Sequence, residues 1–145
     1  MNFRFQPILN LRRHREENCQ IRLRAEQVRL NRIHNEVVTW EERTKRQEKV
    51  MEEFGTGRID PTLLEHGSTY LTYVRQKKAD ARNRELLQEQ EVEKARQVLV
   101  EARKDRKIMD KLKERFAERA YREYLQQEQK RLDEVGINRL YQEKR

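Results

Sequence analysis

Residues 5–54 read FQPILNLRRHREENCQIRLRAEQVRLNRIHNEVVTWEERTKRQEKVMEEF. Stepping from Phe5 alternately by four and three residues lands on Leu9, Arg12, Glu16, Cys19, Leu23, Glu26, Leu30, Ile33, Val37, Trp40, Thr44, Gln47, Met51 and Phe54. Ten of these fifteen positions are apolar, and no glycine or proline interrupts the run after Pro7. A 4-3 spacing places every one of these side chains on one narrow seam of an α-helix. A seam that narrow is stable only against a partner helix. The rest of the chain must supply it.

Outward from this stretch, the breakers arrive together. Gly55, Gly57, Pro61 and Gly67 are four of the chain's six Gly and Pro residues. Gly55 fits the left-handed position that follows a helix C-terminus. Asp60-Pro61 reads as an N-cap with proline at the first helical position, opening a short helix over Thr62–Glu65, which Gly67-Ser68 restarts or kinks. Residues 55–68 are therefore expected to form the turn of a hairpin. No Gly or Pro occurs from Thr69 to Val135, so a second helix is expected over about 69–135, with 136–145 as a tail after Gly136. Its stripe reads Tyr70, Val74, Lys77, Ala81, Arg84 and Gln88. It continues through Val92, Ala95, Leu99, Ala102, Arg106 and Met109, then shifts to Leu112, Phe116, Ala120 and Tyr124.

On the N-terminal side, Pro7 is tolerated in a first helical turn, which sets helix 1 at about 3–54. The expected fold class is all-α, two long helices forming an antiparallel coiled-coil hairpin, with 1–145 as a single domain. Folding the ladder about the turn sets Phe54 near Tyr70, Trp40 near Arg84, and Phe5 near Phe116–Arg119. Roughly 15–20 residues of helix 2 then outrun helix 1. Tyr121, Tyr124, Leu125 and Leu132 lie there without a partner, which marks a partner site.

Composition agrees with a rod. Hydrophobic residues are 34% and charged residues 41% of the 145, too little apolar material for a deep core and too regular for a disordered chain. Cys19 is the sole cysteine; it falls on the seam and forms no intrachain disulfide, which fits a reducing compartment. No run approaches a membrane span, and residues 1–11 show no secretory signal. A cytoplasmic location is expected.

The chemistry of an enzyme is missing. His14, His34 and His66 are scattered, with no Cys or Asp at metal-ligand spacing, so no metal or other cofactor is expected. Gly55-Thr56-Gly57 is a turn and cradles no phosphate. No nucleophile–base–acid set can be assembled, and two crossed helices offer no pocket for one.

Charge supplies the functional signal. The net charge is +8, which suits nucleic acid, anionic lipid or an acidic protein face. Residues 1–35 carry eight Arg against Glu16, Glu17 and Glu26. Residues 103–115 carry seven basic residues against Asp105, Asp110 and Glu114, whereas residues 55–100 carry eight basic and seven acidic. In a hairpin the two basic stretches meet at the open end as a basic head. A plain solvated face reads the same residues equally well, since acids alternate with the bases. Tyr70 and Tyr73, near the turn, are either seam residues or a docking patch.

The opening Phe3-Arg4-Phe5-Gln6-Pro7-Ile8-Leu9-Asn10-Leu11-Arg12 resembles the start of the FliJ family of flagellar export proteins. So do Glu101–Arg115, and Tyr121–Asp133 with its Gln127-Glu128-Gln129-Lys130. The resemblance spans nearly the whole chain. It implies an antiparallel coiled-coil hairpin similar to the stalk, or gamma subunit, of rotary ATPases. It also implies a non-enzymatic, cytoplasmic component of the bacterial flagellar type III export apparatus, peripherally associated with its membrane-embedded parts. The implied partners are the hexameric flagellar export ATPase, the transmembrane export gate protein and export chaperones. Carried onto this sequence, the ATPase contacts are Arg12, Arg13, Arg15, Arg103, Lys104, Arg106, Lys107, Lys111, Lys113 and Arg115. The gate or chaperone contacts are Tyr70 and Tyr73. Two other readings of the charge are a nucleic-acid-binding coiled coil and a self-associating scaffold. Against the first, no basic run or stacking platform of aromatics is present, and no nucleic acid is expected as a partner.

Overall fold

The computed structural model describes residues 2–58 and 60–144. Helix α1 spans Gln6–Phe54 and helix α2 spans Pro61–Glu143, and no strand occurs among the described residues. The Gln6 and Leu9 amides donate to the carbonyls of Phe3 and Phe5 to start α1, with Pro7 in the first turn, where its missing N–H leaves no bond unmade. At the other end, the Gly55 and Thr56 amides donate to the carbonyls of Glu52 and Glu53, and the Thr56 hydroxyl also donates to Glu53. These i→i+3 bonds close the helix. They replace the left-handed cap expected at Gly55, since no described glycine has positive φ.

The turn is shorter than its sequence suggests. Asp60 caps α2: the Thr62 amide donates to its carboxylate (3.0 Å) and the Leu64 amide to its carbonyl (3.0 Å), with Pro61 at the first helical position. The expected turn over 55–68 and helix start at 69 are corrected accordingly. The helix begun at Pro61 runs unbroken through Gly67. That glycine is a contact position. A Cβ there would lie 2.8 Å from the Met51 sulfur, and the Gln47 side-chain amide donates to the Gly67 carbonyl at 3.0 Å.

Packing divides the chain into two units: Asn18–Val100, here the turn unit, and Met1–Glu17 with Glu101–Arg145, the terminal unit. In each, α1 and α2 run antiparallel, so the fold class is all-α, an antiparallel coiled-coil hairpin.

In the turn unit, the α1 ladder from Cys19 to Phe54 is buried or half-buried at every position. The opposing seam of α2 is Leu64, Gly67, Leu71, Val74, Lys78, Ala81, Glu85, Gln88, Val92, Ala95 and Leu99, alternating threes and fours without a break. Val74 and Ala81 are fully buried. This corrects the expected register over its first turns: Tyr70, Lys77 and Arg84 are exposed, and the seam uses the residue after each. The shorter turn also changes the pairing. Trp40 meets Tyr73, edge to face at 6.1 Å, and not Arg84, which pairs with Glu36 at 2.8 Å. Arg82–Glu41 (2.7 Å) and Arg75–Glu48 (3.2 Å) line the margins. Each is exposed and contributes at most about 1 kcal/mol, so they fix register more than they stabilise. Within the seam, Gln88 donates to the Glu26 carboxylate (2.6 Å) and carbonyl (3.0 Å), which satisfies a polar layer where an apolar one would leave the register less specified.

In the terminal unit the core is short. Leu9 and Ala102 are buried, and Phe3 is buried against Phe116 at 5.6 Å between ring centroids. Phe5, expected on the seam, is 42% exposed, because Phe3 takes the inward place. Beyond Ala120 the helix has no α1 beside it. Tyr121, Tyr124, Leu125, Leu132 and Val135 are all exposed. The helix does not stop at Gly136 but continues to Glu143, so the expected tail over 136–145 is helical to that point. One mid-helix glycine costs only about 1 kcal/mol relative to alanine, and without a proline or cap behind it that does not end a helix. A Cβ on Gly136 would meet nothing within 4 Å. Gly136→Ala is therefore expected to slow amide hydrogen exchange through 130–143 by up to about fivefold, about 1 kcal/mol. Unchanged exchange there would contradict the helical assignment.

Candidate protein-interaction surface

The terminal unit collects all ten basic residues assigned above to ATPase contact, and its local chemistry separates them into two sets. Three acids take up the first. Glu16 lies on the α1 seam and is 8% exposed. It accepts from Arg103 (3.3 Å) and from Arg106. Asp105 accepts from Arg12 at 2.8 Å and stands 3.8 Å from Arg15. Asp110 accepts from Arg13 at 3.3 Å and from Arg106. Five guanidiniums thus meet three carboxylates, and every connection but Arg106–Asp110 runs between α1 and α2. Arg106 sits at the centre. Hydrogen bonds to Glu16 first, then to Asp110, push its pKa above the ordinary arginine value, so it stays charged at any physiological pH.

This network holds the first turns of α1 against α2. Removing one partner of a buried pair costs about 3–5 kcal/mol. Here the arginines are partly exposed and Arg106 keeps Asp110, which lowers the expected cost. Glu16→Ala is expected to destabilise the terminal unit by about 1–2 kcal/mol. Amide exchange over 6–17 should quicken while residues 61–100 keep their protection; equal loss in both units would contradict this.

The second set has no such employment. Lys104 has only the exposed Glu101, three residues back at 3.2 Å. Lys107, Lys111, Lys113 and Arg115 make no ion pair within 4 Å among the described residues. Arg103, Lys107, Lys111, Arg115 and Arg119 follow one another at four-residue steps along α2, all exposed. Neighbours four apart stand side by side on a helix, and like charges there repel by about 0.2–0.5 kcal/mol per pair. From Lys107 to Arg119 this ridge has no counter-ion among the described residues, which makes it a surface awaiting negative charge. Sequence reasoning located these residues but could not tell the two sets apart. The missed signal is Glu16, an acid in a seam register opposite Arg106.

Tyr70 and Tyr73 belong to the turn unit. Both lie off the seam and are about half exposed, with rings stacked at 6.3 Å. Lys77 sits over the Tyr73 ring at 5.6 Å and Arg43 over Trp40 at 4.7 Å. Of the two sequence readings, the seam one does not hold.

Among the described residues no group of His, Cys, Asp or Glu could hold a metal ion, and no helix is long and apolar enough to cross a membrane.

No functionally curated protein matches the chain. Among solved structures, a chain described as a YscO homolog from Chlamydia trachomatis matches with 19% identity and a TM-score of 0.49, over 100% of this chain and 99% of that one. The family described as flagellar FliJ protein matches residues 1–145. The chain belongs to the FliJ family.

Proposed function

We propose that the chain is a non-enzymatic stalk of the flagellar type III export apparatus, cytoplasmic and peripheral to the membrane, whose terminal unit binds and stimulates the hexameric export ATPase. The observation that carries this reading is the exposed ridge Lys107–Lys111–Arg115, which stands without counter-ions among the described residues, on a unit where Arg12, Arg13, Arg15, Arg103 and Arg106 already have partners. Carbonyl and carboxylate groups lining the pore of a ring would supply the missing negative charge. A single asymmetric rod inside a ring contacts its subunits unequally. It therefore favours different conformations in different subunits, and it changes the nucleotide cycle only through that difference in contact energy.

Two surfaces remain for the other partners of the family. The aromatic patch of Tyr70 and Tyr73 is the contact proposed for the export gate. The unaccompanied stretch of α2 from Tyr121 to Val135, with its exposed apolar side chains, is the contact proposed for export chaperones. A nucleic-acid reading fits less well, because Glu114 and Glu118 are exposed along the same stretch of α2 as the ridge. The test is ATP hydrolysis by the purified export ATPase, titrated with this protein at several salt concentrations. Saturable stimulation that weakens as salt rises is expected; an unchanged rate at every protein concentration would refute the reading.

A further inference from the structure

We infer that the end of the terminal unit carries a binding site for an acidic peptide segment presenting one large apolar side chain. A cup of about 410 Å³ opens there, a size ordinarily seen in ligand-binding clefts. Its walls are the rings of Phe5 and Phe116 with Leu112, and the side chains of Arg4, Arg115 and Arg119 stand around them. The apolar walls are open to water: Phe5 is 42%, Leu112 41% and Phe116 36% exposed. None of the three arginines makes an ion pair within 4 Å among the described residues.

Each half of this arrangement is unfavourable alone. Phe3 completes the seam by burying itself against Phe116, so Phe5 gains little from the fold and leaves apolar area in water. Arg115 and Arg119 stand four residues apart, with like charges facing. A single occupant relieves both. An aromatic or large aliphatic side chain fills the space between Phe5, Leu112 and Phe116, while flanking carboxylates accept from the guanidiniums. A flat anionic membrane fits less well, because it would also meet the exposed carboxylates of Glu114 and Glu118. The cup shares Arg115 with the ridge assigned to the ATPase, but peptide binding is measured without the ATPase and probed at Phe5 and Arg119, so its failure and the failure of the stalk function are distinguishable.

The probe is an end-blocked, fluorescein-labelled peptide with one phenylalanine between paired glutamates, compared with the same peptide carrying glutamines. The full-length protein is expected to bind the acidic peptide about tenfold more tightly than the neutral one at low salt, with the advantage shrinking as salt rises. Arg119→Gln should remove about threefold or more of that advantage, and Phe5→Ser should weaken both peptides about tenfold. Lys130→Gln, outside the cup, should change neither. Arg119 is exposed and its side chain makes no hydrogen bond or ion pair among the described residues, so its variant stays informative even if Phe5→Ser frays the first turn of α1. Equal affinity for the two peptides, no binding of either, or affinities indifferent to both cup variants would overturn the site. So would adsorption to phosphatidylglycerol vesicles that depends on Phe5 while the peptide fails to bind.

Discussion

Val74→Asp is expected to abolish the cooperative thermal melt of the turn unit. Val74 is fully buried, midway along a seam whose neighbours are Leu71 and Lys78. The substitution loses about 1.5–3 kcal/mol of apolar burial. It also places a carboxylate inside the seam, where the one basic neighbour on the same face is Lys78, a turn further on; the desolvation still costs several kcal/mol, reduced where that lysine reaches it or the group takes up a proton. A small domain has only about 5–15 kcal/mol to lose, and a two-helix unit has no second layer to compensate. Leu87→Asp, on a residue 62% exposed in the same helix, should cost less than about 1 kcal/mol, mostly helix propensity. Circular dichroism melts of the two variants check this pair. If both melt like the wild type, the 4-3 ladder is not the core.

The second large effect is functional. Lys107→Glu, Lys111→Glu and Arg115→Glu together should weaken binding to the export ATPase about a hundredfold or more and abolish its stimulation. Three reversals change the net charge by six, and each turns an attraction into a repulsion of similar size. The fold should not suffer. None of the three makes an ion pair among the described residues, and the variant leaves two like-charge i,i+4 neighbours while setting positions 107 and 115 opposite Arg103 and Arg119 in sign, so the i,i+4 repulsion does not rise. The melt should stay within about 1 kcal/mol of wild type. The remaining binding should lose most of its salt dependence, because screened charge attraction is what the substitutions remove. Arg103 is deliberately left out. It bonds Glu16, so reversing it would disturb the interhelical network and confuse binding with stability.

How far the sequence could be read differs between the two helices for a physical reason. Along α1, periodicity alone sufficed, because ten of the fifteen ladder positions are apolar and the polar ones, such as Glu16, Glu26 and Thr44, are bonded in place. Along the first turns of α2, the seam includes Gly67, Lys78 and Glu85, three residues that no apolar count selects. A run from Tyr70 through Val74, Lys77, Ala81 and Arg84 keeps the same 4-3 spacing and shares Val74 and Ala81 with the true seam, so periodicity alone does not separate the two. The glycines misled in a consistent way. Gly67 permits a close approach to Met51, and Gly136 is simply tolerated; neither breaks the helix, because breaking needs a cap or proline as well. For the surface, composition located the basic residues. Which of them face inward was not legible, since it depends on Glu16, Asp105 and Asp110 meeting arginines from the opposite helix.

The same distinction separates stability from recognition in the terminal unit. Arg12, Arg13, Arg15, Arg103 and Arg106 hold α1 to α2; their substitution should first appear as fraying. Lys107, Lys111 and Arg115 make no ion pair among the described residues, and their substitution should first appear in binding. The central claim is that the ATPase is met by this ridge and not by the turn unit. It is tested most directly by installing a photo-crosslinking amino acid at Lys111 and, separately, at the exposed Lys49 of the turn unit. Illumination with the purified hexameric export ATPase should yield a crosslinked product from position 111 and none from position 49. Crosslinking from position 49 alone, or equally from both, would contradict the account.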